Sequence, residues 1–280
     1  MPENGQAMIG AAANHREREK GVLVYPVYSR RSGGLSVGIN LFPDRKHCSF
    51  DCPYCEVFPF SSAQTFSLSL MEEALAETLA AAKERGITVK DICFSGNGEP
   101  TLSPDFSAAL GAAFRARDRD VPEADVVLIT NGSGLLDEDI FDLLSRSAKP
   151  SGGLRIWLKL DAGTPAWYTK MDRCAIPFER LTDKIRAFVK CAPLTLQTMI
   201  CAVNDMPPPP EEGQAWEALV AELALTAALL REVQIYGKAR PAPEDPLAAA
   251  LPTAFLEARA ASLGAVLAAA GKDIPVRVYP

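Results

Sequence analysis

No stretch of this 280-residue chain is long and apolar enough to span a bilayer. Its first residues, with Glu3 and Asn4 and no sustained apolar run, do not read as a signal peptide, so residence in the cytoplasm is expected. An excess of positive charge is missing too. A net charge of −6 and a pI near 5.2 argue against an electrostatic grip on phosphate backbones. The local basic groups are Arg16, Arg18 and Lys20, then Arg30 and Arg31, then Arg45 and Lys46. They read as solvated faces, the first being interleaved with Glu17 and Glu19. A disulfide framework is also absent. The seven cysteines are odd in number, and three of them fall within eight residues, which suits a reducing compartment where thiolates ligate metal.

What is present is the composition of an ordinary globular protein, 48% hydrophobic and 23% charged, at a length that α/β barrels fill as one unit. Residues 1–20 lack an apolar pattern and read as a flexible extension. From Gly21 onward short strand-like runs alternate with longer helical ones, as parallel strands with crossover helices require. Strands are expected at Leu35–Leu41, Asp91–Ser95, Val126–Thr130, Leu154–Leu160, Leu194–Ile200 and Val233–Tyr236. Ser69 with Glu72 has the pattern of a capping box, and Met71, Leu75, Leu79 and Ala82 continue it as a helix ending at Gly86. Further helices are expected opening on Ser103 and Pro104 as first-turn residues, from about Asp137, through Phe178, Leu181, Ile185 and Phe188, and over about Trp216–Leu230. Pro207–Pro210 with Glu211 and Glu212 reads as an exposed, stiff loop. A helix over about Thr253–Ala270 and a strand at Val276–Tyr279 complete or cap the core within 242–280. The fold class is α/β: a curved parallel sheet of six βα units, whose chemistry collects at the C-terminal strand ends.

At one such end lies CSFDCPYC, with Cys48, Cys52 and Cys55 spaced CxxxCxxC. A four-iron cluster takes one thiolate per iron, so three cysteines leave one iron open to a non-protein ligand. Zinc on the three cysteines with His47 is the rival reading, since tetrahedral zinc accepts a Cys₃His set. His47 adjoins Cys48, whereas zinc ligands come in spaced pairs.

With Tyr54 just before the third cysteine, this loop resembles the cluster motif of the radical S-adenosylmethionine (radical SAM) superfamily. SGNGEPTL at Ser95–Leu102 resembles that superfamily's GGEP segment after the second strand. The resemblance implies a partial (β/α)₆ TIM-like barrel with its core over 21–241. It implies a [4Fe–4S] cluster on Cys48, Cys52 and Cys55, and S-adenosylmethionine cleaved there to a 5′-deoxyadenosyl radical that takes hydrogen from a substrate. By position, Gly96 and Gly98 let backbone approach the methionine part, and Glu99 meets its ammonium. Tyr54 lies near the adenine, and Asn131 in ITNG matches a ribose-contacting position. Lys159 and Asp161, on one face at the end of LKLDAG, bind ribose or carboxylate or else form a buried ion pair. Gln197 and Tyr236 sit at similar late-strand positions. Cys93 reads as a small buried residue, and Cys174, after a loop near the mouth, as a possible hydrogen donor.

YSRRSGGLSVGINLFPDRKHCSFDCPYCE and VQIYGKARP further resemble short proteins related to the wyosine-forming tRNA enzymes. A reductase domain, a second cysteine cluster and a basic RNA surface are not recognisable. The resemblance therefore implies an external flavodoxin or ferredoxin as electron donor. A small-molecule or peptide or protein substrate ranks slightly ahead of RNA, in a monomer or homodimer off the membrane. A non-catalytic iron–sulfur or zinc protein is the alternative to the enzyme.

Overall fold

The computed structural model describes residues 21–226 and 230–280; the extension expected at 1–20, with Arg16, Arg18 and Lys20, lies outside them. Ten strands and seven α-helices follow one another in chain order among the described residues. The hairpin β1 (Val24–Ser29) and β2 (Gly34–Ile39) leads to α1 (Leu68–Glu84) and β3 (Val89–Phe94). Then come α2 (Phe106–Asp120), β4 (Asp125–Thr130), α3 (Glu138–Ser147), β5 (Leu154–Lys159), α4 (Pro165–Met171) and α5 (Phe178–Phe188). β6 (Leu194–Ile200) and β7 (Ala202–Val203) precede α6 (Pro210–Thr226) and β8 (Leu230–Gly237). β9 (Ala248–Ala249), α7 (Thr253–Ala269) and β10 (Val276–Tyr279) end the described chain.

Eight strands form one sheet in the order β1-β2-β3-β4-β5-β6-β8-β10, all parallel except β1, while β7 and β9 pair separately. The sheet is a curled, open half-barrel of the kind expected. The six expected strands are all present. β10 joins as a seventh parallel strand, and β1 as an antiparallel edge that the sequence pattern hid behind Pro26. Proline is tolerated there because an edge strand leaves N–H groups unpaired. Across the gap between the two sheet edges, Arg30 donates to the Pro280 carbonyl oxygen.

Alternation along the strands divides an outer, helix-covered face from an inner bore. In β5, Leu154, Ile156 and Leu158 are buried outward, while Arg155, Trp157 and Lys159 are only half-buried. Register puts Ile129, Trp157, Thr195 and Glu232 in one inward row, and Lys159, Gln197, Gln234 and Arg277 in the next. The bore is therefore polar. The outer core is not: Phe94 and Phe106, for example, pack edge to face with centroids 5.5 Å apart, each burial being worth about 2 to 3 kcal/mol.

Four local expectations change. Ser67, not Ser69, caps α1, its hydroxyl accepting from the Leu70 N–H at 3.5 Å, because the helix opens at Leu68 and Ser69 lies inside its first turn. α2 opens at Phe106, after Ser103 Oγ has accepted the Asp105 N–H. Glu211 and Glu212 are not loop: α6 begins at Pro210, a residue suited to a first turn, and Glu212 is buried. Its carboxylate accepts from Gly163 N and Thr164 Oγ1, both at 2.5 Å, so it fixes the turn that follows β5. α6 is described as far as Thr226, and Leu230, expected at the helix end, already belongs to β8.

Candidate functional site

The loop after β2 crosses the C-terminal mouth of the bore and is zipped to the loop after β3. His47 N–H donates to Asn97 O at 3.0 Å, Glu99 N–H donates to His47 O at 2.9 Å, and the two strands of this bridge run parallel at His47 and Gly98. Gly98 is indispensable to the zip, since a Cβ there would stand 1.8 Å from His47 O. Gly96, at φ +133°, adopts backbone that side chains rarely accept, and its Cβ would meet Asn40 Oδ1 at 2.6 Å. Asn40 Oδ1 accepts the Asn97 and Phe42 N–H groups, completing the join. The motif glycines thus serve loop packing within the chain, in addition to facing the cavity.

Cys48, Cys52 and Cys55 line one cavity of about 200 Å³, together with Tyr54, Gly96, Gly98, Glu99, Asn131 and Lys159. A tight turn, with Cys55 N–H donating to Cys52 O at 3.0 Å, brings the last two cysteines together. Burial pushes the Cys48 thiol up to about 11, partly offset by the Phe50 N–H that its sulfur accepts. Burial raises the Cys52 thiol as well, against the pull of Lys159. Among the described residues no three His, Cys, Asp or Glu side chains converge on a point as a single ion requires. His47 faces Phe42, with ring centroids 4.9 Å apart, and is not on the cavity wall.

Glu99 is buried and its carboxylate is well supplied. Oε1 accepts from Thr101 N, Thr101 Oγ1 and Thr130 Oγ1 at 3.2, 2.6 and 2.7 Å, and Oε2 accepts from Asn131 N at 2.7 Å. Burial raises its pKa, and these donors counter the rise. Asn131 joins the end of β4 to the cysteine loop, donating to Ser49 Oγ at 3.1 Å and Cys48 Sγ at 3.5 Å, while its Oδ1 accepts Ser133 N–H.

Opposite lies a buried charged group. Lys159 Nζ stands 3.2 Å from Asp161 Oδ2 and donates to the Tyr54 hydroxyl, which in turn donates to Asp161 Oδ2. Asp161 Oδ1 accepts the Met199 N–H at 2.8 Å. Burial alone would lower the Lys159 pKa, but Asp161 and its neighbours outweigh it and hold the ammonium charged. Of the residues expected to hold S-adenosylmethionine, Asp161 is off the cavity wall: its side chain is fully covered and both oxygens are engaged by protein donors, so it acts as the counter-ion of Lys159.

Several residues were not foreseen. Asp172 is buried beside Cys52, and its carbonyl accepts the Asp51 N–H at 3.0 Å. Arg31, read as a solvated charge, lies instead in the bore, because the β1–β2 turn folds inward. Met199, Glu56 and Arg240 also line the cavity, and so does Tyr236, a late-strand position that the sequence did single out. Gln197 is completely buried, and Cys174 is not on the cavity wall, its sulfur accepting the Ile176 N–H. No signal in the local pattern marks Arg31 as facing the bore; only the course of the turn does.

No family model matches the chain. Two "UPF0026 proteins" of Helicobacter pylori, from strains J99 and 26695, are 36% and 35% identical over 80 residues. The match covers 28% of this chain and spans about a quarter of the length of those relatives, 26%. Among solved structures, a radical SAM methyltransferase from Sphaerobacter thermophilus superposes with TM-score 0.62 at 14% identity, over 91% of this chain and 69% of that one. Streptococcus suis SuiB bound to precursor peptide SuiA gives 0.61 at 12%, over 90% and 51%. TYW1 with a lysine-pyruvate adduct bound gives 0.52 at 13%, over 82% and 73%.

Proposed function

We propose that this chain, whose fold is the partial barrel of the radical SAM enzymes, is itself such an enzyme, holding a [4Fe–4S] cluster on Cys48, Cys52 and Cys55. The observation that carries this reading is the gathering of three thiols, with Glu99, Asn131 and Lys159, around one cavity at the C-terminal strand ends. When bound, the cluster would supply an electron and an open iron for the cleavage of S-adenosylmethionine to a 5′-deoxyadenosyl radical, which takes hydrogen from the substrate.

The donor set fits the group. Three thiols spread around a shared cavity suit a multi-iron object, whereas one ion needs ligands converging at about 2.3 Å. Binding requires three thiols to lose their protons, and Lys159 favours the anionic form of both Cys48 and Cys52. Glu99 Oε2, with the Asn131 N–H as its partner, retains acceptor capacity for an ammonium. Lys159 offers a fixed cation for a carboxylate or ribose oxygen, and Asp161 and Tyr54 hold it in place. Gly96 and Gly98 give backbone access to the methionine part, and Asn131 ties the cysteine loop to the ribose side.

Electrons would come from an external flavodoxin or ferredoxin. The acidic net charge favours a small-molecule or peptide or protein substrate over RNA. Among the described residues no helix is long and apolar enough to cross a membrane. The test is anaerobic reconstitution with iron and sulfide, followed by EPR of the reduced protein with and without S-adenosylmethionine. About four irons per chain and a spectrum altered by the nucleotide are expected. A colourless, zinc-loaded protein, or equal iron loading of a variant with all three cysteines replaced by alanine, would overturn the reading.

A further inference from the structure

The cysteine cavity is not the end of the bore. Ser95, Met199, Tyr236, Arg31, Glu56 and Arg240 are shared with a second cavity of about 120 Å³ that reaches the open side of the half-barrel, where Trp157 and Arg30 join its wall. Its charge is unbalanced: three guanidinium groups face a single carboxylate, that of Glu56. Arg240 stands 2.8 Å from Glu56 and Arg30 donates to Pro280 O, but among the described residues no carboxylate lies within ion-pair distance of Arg31. The crowding is felt, since burial and then the charges of Arg240 and Arg31 lower the pKa of Arg30.

Arg31 is held as a binding group would be. Its Nη1 donates to Gln197 Oε1 at 3.1 Å, and the Gln197 amide is fixed in turn by donating to Gln234 Oε1 at 2.7 Å. Both glutamines are buried, so this polar chain is shielded from water and rigid. The guanidinium carbon lies 5.5 Å from the Trp157 ring centroid and 5.2 Å from that of Tyr236. Of the five N–H donors on a guanidinium, one is used within the described residues. Asp91, the acid deeper in the bore, accepts from Ser36 Oγ, and burial raises its pKa.

We propose that this second cavity holds the substrate by an anionic group, a carboxylate or a phosphate on a small molecule, with Arg31 as the fork that binds it and Arg240 beside it. This rests on the radical SAM reading, because the cavity walls shared with the thiols are what bring the substrate to the reacting centre. The size of the cavity sets the class: it takes a small molecule's acidic group, not a nucleic-acid helix. A planar fork recognises carboxylate and phosphate oxygens in pairs, and aromatic rings on either side keep it from collapsing onto the wall.

The test uses the anaerobically reconstituted protein with S-adenosylhomocysteine present, so that the methionine carboxylate position is filled. Benzoate and inorganic phosphate are titrated separately against chloride at constant ionic strength, and tryptophan fluorescence is read. A saturable change with one of the two, lost in Trp157→Phe and weakened about tenfold or more in Arg31→Gln, is expected, and the anion that binds names the group. Near-UV circular dichroism checks that the variant is folded. Arg31→Lys, which keeps the charge and loses the fork, should fall between the two. No saturable change with either anion, persistence of the signal in Trp157→Phe, or unchanged affinity in Arg31→Gln would overturn the proposal. Formation of 5′-deoxyadenosine by the same reconstituted protein, given S-adenosylmethionine and a reductant in place of S-adenosylhomocysteine, separates the two readings. Anion binding without it leaves the site standing and sinks the radical chemistry; cleavage without anion binding does the reverse.

Discussion

Gly98→Ala is the sharpest perturbation of the site's architecture. Its Cβ would stand 1.8 Å from His47 O and 2.6 Å from His47 C, both backbone atoms that cannot swing aside as a flexible side chain does. The cysteine loop must move, and with it go the His47 N to Asn97 O and Glu99 N to His47 O hydrogen bonds. Two such bonds contribute about 1 to 3 kcal/mol together, and forced overpacking costs about 1 to 3 kcal/mol more, for a loss of about 2 to 6 kcal/mol. Urea unfolding of the cluster-free protein at 25 °C reads the stability, and iron content after anaerobic reconstitution reads the site. The control is Gly264→Ala in α7, where a Cβ meets nothing within 4 Å, and a gain of about 0.5 to 1 kcal/mol is expected. If Gly98→Ala unfolds at the wild-type urea concentration and loads iron normally, the claim that the two loops are locked through His47 is wrong.

Removing the Glu212 carboxylate by Glu212→Ala leaves Gly163 N and Thr164 Oγ1 without their acceptor, and should cost about 2 to 3 kcal/mol in urea unfolding; a change under 0.5 kcal/mol would contradict it. Asp91 is buried with its pKa raised above 3.8, so the folded state binds its proton more tightly than the unfolded one. Stability from this group is full below that value and lost as pH rises through the higher folded value, at about 1.4 kcal/mol per unit of difference. Relative to Asp91→Asn, the wild type should therefore lose stability across that window in thermal unfolding, and parallel pH curves would refute the assignment. Glu99→Gln keeps the shape but places an amide against the donors of Thr101, Thr130 and Asn131. It should weaken S-adenosylmethionine binding about tenfold or more in equilibrium dialysis of the loaded protein, and wild-type affinity would remove Glu99 from the site.

Much of the fold was readable because period and punctuation agree: Met71, Leu75, Leu79 and Ala82 are the buried residues of α1, and the six expected strands are the parallel core of the sheet. The failures share a cause. Pro26 disguised β1, Pro210 disguised the start of α6, and Ser69 outbid Ser67 as a cap, in each case because a residue's local preference is compatible with two roles that only tertiary contacts separate. The cysteine loop and the residues around Glu99 and Asn131 could be assembled from motif and strand order. Arg31 and Asp172 could not. Arg31 enters the bore through the direction of a hairpin turn, and Asp172 meets Cys52 from 120 residues away along the chain. Lys159 and Asp161 show the middle case: alternation put them on one face, but not that Tyr54 would join them and leave Asp161 behind the wall.

The measurement that bears most directly on the central claim is product analysis after anaerobic reduction of the reconstituted protein with S-adenosylmethionine. Formation of 5′-deoxyadenosine by the wild type, and none by Cys52→Ala, is expected. Equal amounts from both proteins, or none from an iron-loaded wild type, would contradict it.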